Sequence, residues 1–556
     1  MYNKIRTALL TVFIAHTAIA QQVTFKPHKF ESASGQVVDA EKGELIVRES
    51  RGNPDSRTIT IRFVRFKSTA AKPGHPIVYL AGGPGGSGIG SAYGSRFPLF
   101  MALREFGDVI AYDQRGTNES GPKMTCDEQY VFPPGAPLDR AKGGAILAAA
   151  LRPCVEKLRA EGVDVAAYNT RENAADLEDL RKALGAEKLV LWGISYGTHL
   201  TIAALRDNSA HIDRVILAGI EGADDTYKLP SDQQSLLEEI ARRAPGDLLA
   251  SMRNVLHELQ KSPKTVSLTH PLNGMSADFV LGPLDFQVAV ADSLFAPENF
   301  AKLPDFVSRL ERGDWTALAL AVGGQRFGSA PSVMSVAMDC ASGITAARKT
   351  LIENEAKRTL LGDAINLPFP EVCAAVNVPD LGDAFRGPLR SDVPALLISG
   401  TLDGRTRPRQ AEELRTGMPN ARHLIIEGAG HSDPLFLSSP KILEAMKAFL
   451  RGEPLVEKTI TLPPMQFAPM RTIANVSDEV LARHVGTYRV DEKTTRRVIK
   501  AGSQLYTVRG NNPPFPIRPI SENEFFYENT GDTVRFEEGA MIYRTLAGEE
   551  RRAKKE

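Results

Sequence analysis

At 556 residues the chain is too long for one hydrophobic core, since single cores stop growing near roughly 250–300 residues, and more than one domain is expected. Hydrophobic residues make up 42% and charged residues 24%, a composition that excludes wholesale disorder. Lys plus Arg and Asp plus Glu are both 67, which removes any electrostatic case for nucleic acid or an anionic membrane as partner.

In chain order, residues 1–20 read as a secretory signal peptide. Lys4 and Arg6 give a positive start, Ala8 to Ala15 an apolar run, and Ala18-Ile19-Ala20 a small-x-small cleavage signal with Gln21 next. The run is too short to span a bilayer, and no Cys follows the cleavage site to take a lipid, so no membrane anchor is expected after cleavage. A secreted or periplasmic protein is the expectation. The rival reading is a buried N-terminal helix.

Residues 27–66 form a β-rich lead-in, and Thr58 to Phe66 alternates apolar and polar as a half-buried strand does. From Pro76 the pattern changes to short apolar runs ending in Gly or Asp, at 77–82, 109–113, 189–193, 215–219, 395–400 and 423–428. Alternating with helical stretches such as Glu172–Leu184 and Lys441–Leu450, they predict an α/β fold with a mostly parallel sheet covered on both faces. Ligands of such sheets sit at the carboxyl ends of the strands. The predicted core runs over 21–223 and 389–452. Residues 224–388 read as a helical cap, 453–474 as a linker and 475–556 as a separate small antiparallel β domain, whose charged tail from Glu549 is expected to be disordered.

Four cysteines permit three pairings, and neighbour pairing, Cys126 with Cys154 and Cys340 with Cys373, would keep each disulfide within one region. Metal binding is the competing reading, but no C-x-x-C and no adjacent His supports it, so no metal site is expected.

Gly193-Ile194-Ser195-Tyr196-Gly197 is G-x-S-x-G placed between an apolar strand and a helical run. That sharp turn holds a Ser in a strained backbone, with glycines leaving room for neighbouring chain. A Ser hydroxyl needs a base, and the base needs an orienting acid. In the α/β-hydrolase fold the order is Ser, acid, His, the last two each in a loop after a strand. Here 395–400 leads into Asp403 and 423–428 leads into His431. Asp433 is a rival acid, but it follows His431 too closely to orient its ring. Gly82 to Gly88 (GGPGGSG) follows the strand at 77–82. Its backbone N–H groups, with that of Tyr196, would form an oxyanion hole, a device worth about 3–4 kcal/mol per donor. A phosphate-cradling loop is the rival reading, without the G-K-[ST] or G-x-G-x-x-G context it requires.

Five segments, GGPGGSG (82–88), DQRGTNESG (113–121), GISYGTHL (193–200), SGTLDGRTRP (399–408) and GAGHS (428–432), resemble the prolyl iminopeptidase and tripeptidyl aminopeptidase family of serine peptidases. The resemblance implies hydrolysis at peptide N-termini without a cofactor, by Ser195, Asp403 and His431. It also implies oxyanion donors at Gly83 and Tyr196, and loop-bracing roles for Asp113 and Arg115. A helical cap with acidic residues for the substrate ammonium is implied as well. The sequence departs from the family at Ala81, where prolyl iminopeptidases commonly carry His, and the cap does not align by motif. Glu221 and Asp339 are candidates for the amine. The partner is then a peptide or small molecule. An esterase, lactonase or amidase shares every triad residue, and a non-catalytic binding protein on the same scaffold is the third alternative.

Overall fold

Period-two burial in the first third of the chain produces three antiparallel strands, β1 (Val23–Glu31), β2 (Val37–Arg48) and β3 (Thr58–Phe66). The computed structural model describes residues 23–556 apart from 493, so the expected signal peptide and Gln21 lie outside the described residues. The apolar runs then supply β4 (Ile77–Leu80) and β5 (Val109–Tyr112). After an excursion through β6 (Gln129–Val131), β7 (Leu189–Ser195) and β8 (Ile212–Ile220) return to the sheet. Successive side chains of these strands enter opposite faces. Val78, Leu80, Leu191 and Leu217 join one core; Ile77, Tyr79, Trp192 and Ile216 join the other. Two covered faces are why these segments are apolar without alternation.

Between β8 and the next sheet strand lies the cap, built on helices such as Pro230–Ala241, Leu248–Lys261, Pro283–Ser293 and Val333–Ser342. Leu236, Met252, Phe286 and Val307 belong to a core of its own. It is mostly helical, as the sequence reading has it, with short strands added. β9 (Lys264–Thr269) and β10 (Ser276–Leu281) form an antiparallel hairpin, and β11 (Phe327–Ser329) pairs with β6. The cause is local: KTVSLT and SADFVL flank a turn at Asn273-Gly274, where Gly274 takes φ +70°.

The sheet resumes with β12 (Ala395–Gly400) and β13 (Ala421–Glu427) and ends on β14 (Thr459–Thr461), which lies inside the segment read as a linker. Its order is β1-β2-β3-β5-β4-β7-β8-β12-β13-β14, parallel from β5 onward. The C-terminal domain is a closed barrel of eight antiparallel strands between Gly486 and Lys555. Disorder of the charged tail is overturned here. Glu550–Lys555 is the closing strand, bonded to Ala540–Arg544 on one side and to Tyr488 and Arg489 on the other. Ala553 faces inward while the charges around it stay in water, and the pairing removes the free edges that an open sheet would expose. Both neighbour disulfides are present, Cys126–Cys154 and Cys340–Cys373.

Candidate active site

β7 ends at Ser195, which takes φ +53° and ψ −126°, and the helix Tyr196–Asn208 begins at the next residue. A non-glycine residue in that region is strained, and the surrounding backbone has to hold it. The flanking glycines are sterically required. A Cβ on Gly197 would lie 2.1 Å from Leu80 O, and one on Gly193 would lie 2.7 Å from Gly197 O. Thr198 Oγ1 donates to Ser195 O at 2.7 Å and accepts from the N–H of Glu221 at 2.8 Å, tying the turn to the end of β8.

The loops after β12 and β13 bring Asp403 and His431 together. His431 Nδ1 lies 2.8 Å from Asp403 Oδ2, and both side chains are buried. Asp403 also accepts the N–H groups of Arg405 and Thr406, both at 2.8 Å, and the Thr406 hydroxyl at 2.7 Å. Burial pushes its carboxyl up, but the charge and hydrogen bond of His431 and the bonds of Thr406 outweigh this and hold it below the usual carboxylate range. Ser195 and His431 line one groove of about 510 Å³. Among the described residues Ser195 Oγ makes no hydrogen bond, so the contact with His431 is not closed; such bonds often tighten only with substrate present.

Asp433, the rival acid, is engaged elsewhere. Arg96 Nε donates to it at 2.8 Å, Arg96 Nη2 donates to Ser432 Oγ at 2.9 Å, and Ser95 and Tyr79 complete the cluster. The loop bearing His431 is thereby fastened to the segment before the helix Phe97–Leu103. Thr406 and Arg96 were missed by sequence reading. An Asp-x-x-Thr turn signal marks the first; nothing local marks the second.

On the other side of Ser195 the glycine loop comes very close: a Cβ on Gly82 would stand 2.9 Å from Ser195 Cβ. Asp113 accepts from Ser87 Oγ at 2.7 Å, Asn118 Nδ2 at 3.0 Å and the Ile89 N–H at 3.1 Å; Arg115 is buried against Asp176, with contacts of 2.7 Å. Both brace loops. Gly83 lines the same groove as Ser195, Tyr196 follows Ser195 in the chain, and the Tyr196 ring is buried with its hydroxyl 3.0 Å from Thr170 Oγ1.

The two amine candidates differ. Glu221 is buried in an ion pair with Lys228 Nζ at 2.7 Å, so its charge is already matched. Asp339, on the cap helix Val333–Ser342, has no hydrogen-bond or ion-pair partner for its carboxylate among the described residues. Burial, and then the neighbouring Glu221, push its carboxyl well above the usual range. Phe295, also from the cap, sets its ring 5.6 Å edge-on to the His431 ring. A grouping with metal-ligand geometry, Cys126, Glu128 and Cys154, has both thiols consumed in a disulfide.

Residues 75–436 match the family model described as alpha/beta hydrolase fold. The serine protease Hip1 of Mycobacterium tuberculosis (strain ATCC 25618 / H37Rv) is 30% identical over 187 residues, 32% of this chain and 35% of that protein. Tripeptidyl aminopeptidase of Streptomyces lividans is 22% identical over 304 residues, 50% of this chain and 54% of that protein. The chain thus spans between a third and about half of the length of these relatives. Among solved structures, MGS-M2, an alpha/beta hydrolase enzyme from a Medee basin deep-sea metagenome library, aligns with 14% identity and a TM-score of 0.33, over 72% of this chain and 96% of that one.

Proposed function

Because the chain belongs to the α/β-hydrolase fold family, in which the site and not the fold decides the chemistry, we propose that it is an exported serine hydrolase that releases residues or short peptides from free N-termini. The observation that carries this reading is the Asp403–His431 pair, 2.8 Å apart, sharing a groove with a Ser on a positive-φ strand-to-helix turn. In the proposed mechanism His431 takes the Ser195 proton as Oγ attacks the scissile carbonyl. The N–H groups of Gly83 and Tyr196 receive the oxyanion. His431 then protonates the leaving amine, the acyl-enzyme forms, and a water activated by His431 releases it. Asp403 orients the imidazole and stays ionised. Asp339, a carboxylate without a partner on the cap, supports a free amine as the recognised group, and the names of the Hip1 and tripeptidyl aminopeptidase relatives agree with a peptidase. Glu221 is the second candidate, weakened by Lys228. Two disulfides suit an oxidising compartment and support export.

The test compares prolyl-, alanyl- and tripeptidyl-amides, free and N-acetylated, with short-chain esters. Acetylation should lower kcat/KM by about a hundredfold, and Ser195→Ala should abolish turnover and labelling by a fluorophosphonate. Equal rates on free and blocked amines would favour an esterase or amidase. Activity surviving in Ser195→Ala would end the mechanism.

A further inference from the structure

Arg405 stands two residues beyond Asp403 and gives that carboxylate its main-chain N–H at 2.8 Å, so its backbone is fixed to the acid of the site. Its side chain lines the groove that holds Ser195 and His431. It also lines an adjoining cavity of about 410 Å³ between the cap and the helix Arg140–Ala160, whose other walls include Leu147, Leu284, Val288 and Leu367 together with Asp139 and Asp292. The guanidinium lies 5.6 Å from the centre of the Phe295 ring, whose edge in turn faces His431. Among the described residues no carboxylate comes within 4.0 Å of it, and its side chain makes no hydrogen bond. The other arginines nearby are committed: Arg96 to Asp433 and Ser432, Arg407 to Thr401 O, Arg409 to Asp232.

A guanidinium presents several N–H donors in a rigid fork that matches a carboxylate bidentately. Half-buried, packed on an aromatic ring and with no protein carboxylate within 4.0 Å, Arg405 has that fork unused at the junction of the catalytic groove and the second cavity. We propose that Arg405 is a specificity-determining residue that receives a carboxylate of the substrate. The inference rests on the reading of Ser195 as nucleophile only in naming the ligand as substrate. The carboxylate has two possible sources, the free C-terminus of a short peptide or an acidic side chain. Asp339 and Asp292 feel the charge of Arg405 without touching it.

The test measures binding, so it does not depend on turnover. Calorimetric titration of the full-length Ser195→Ala protein uses two matched pairs: Ala-Ala-Ala against its C-terminal amide, and Ala-Glu-Ala-amide against Ala-Gln-Ala-amide. In one pair the carboxylate member should bind at least tenfold tighter. Adding Arg405→Gln should bring the ratio of Kd values in that pair close to one, and Arg405→Lys should retain part of it. The responding pair identifies the source. Equal affinities within both pairs, no binding of any of the four, or a preference that survives Arg405→Gln would overturn the proposal. Loss of ester and peptide turnover by the parent enzyme would instead overturn the hydrolase reading and leave this measurement intact.

Discussion

Asp339 carries a cost that its surroundings do not repay. Lys228 is already paired with Glu221, Arg405 acts on Asp339 only from a distance, and Glu221 opposes its ionisation. A carboxyl whose pKa is raised on folding holds its proton more tightly in the native state. Stability therefore falls as pH climbs from the unfolded value of about 3.9 through the raised folded value. Asn at this position does not titrate and escapes that loss. Asp339→Asn should leave thermal stability unchanged near pH 3.5 and raise it at pH 7.5, by about 0.5–2 kcal/mol, the range of a stability–activity trade-off. The same variant should cut the preference for free over acetylated amines about tenfold or more. Melting curves at the two pH values and kcat/KM on the substrate pair check both. An equal stability change at both pH values would mean a packing effect and no unmet charge.

At the scale of elements, the helix Val333–Ser342 holds Asp339 over the sheet, and the next residue, Cys340, ties it to Cys373 across 33 positions. Cys126–Cys154 closes a similar span but fixes the helix Arg140–Ala160, remote from the amine candidates in sequence. In the chain-entropy model each crosslink contributes roughly 3–4 kcal/mol. Replacing either pair by Ser should therefore lower the melting temperature alike. Loss of Cys340–Cys373 should also erode amine discrimination, while loss of Cys126–Cys154 should not; identical kinetic effects from the two variants would remove the special role of the cap helix. The difference also marks what sequence could convey. Strand, turn and triad were readable because each is a local pattern: a fully apolar strand followed by Gly-x-Ser-x-Gly, or a strand followed by Gly-x-Gly-His. The β9–β10 hairpin was local too, but its weak alternation was lost among helical neighbours. Arg96 with Asp433, 337 positions apart, and Arg405 against Phe295 depend on tertiary approach, which composition and spacing do not encode.

Across the whole molecule, the barrel is joined to the cap by charge. Arg309, on the cap helix Leu303–Glu311, is buried with Asp305 at 3.1 Å and Asp314 at 2.9 Å from its own domain, and Glu528 of the barrel at 2.7 Å. Arg518 returns the contact from the barrel to Asp314 at 2.7 Å, and the Arg471 N–H, from the connecting segment, reaches Asp305 at 2.6 Å. Three acids share two buried guanidiniums, and Glu528 and Arg518 are the barrel's half of the cluster, so its hydrogen bonds are complete only while both domains are in place. A network of this kind adds little over an apolar contact when complete, yet removing one partner strands a charge away from water and costs about 3–5 kcal/mol. Here Arg309 keeps Asp305 and Asp314, so Glu528→Ala should lower thermal stability by less, about 1.5–3 kcal/mol, the worth of charge-assisted hydrogen bonds. Because the network is buried, the loss should persist at high salt. Breaking the exposed Lys441–Glu457 pair gives the contrast, an effect of about 0–1 kcal/mol that salt abolishes. Calorimetric melting of the parent and both variants at low and high ionic strength makes the comparison. If Glu528→Ala behaves like the surface pair, the barrel is merely tethered; if it melts early in both salts, the barrel is what keeps the cap helices around Arg309 closed and dry.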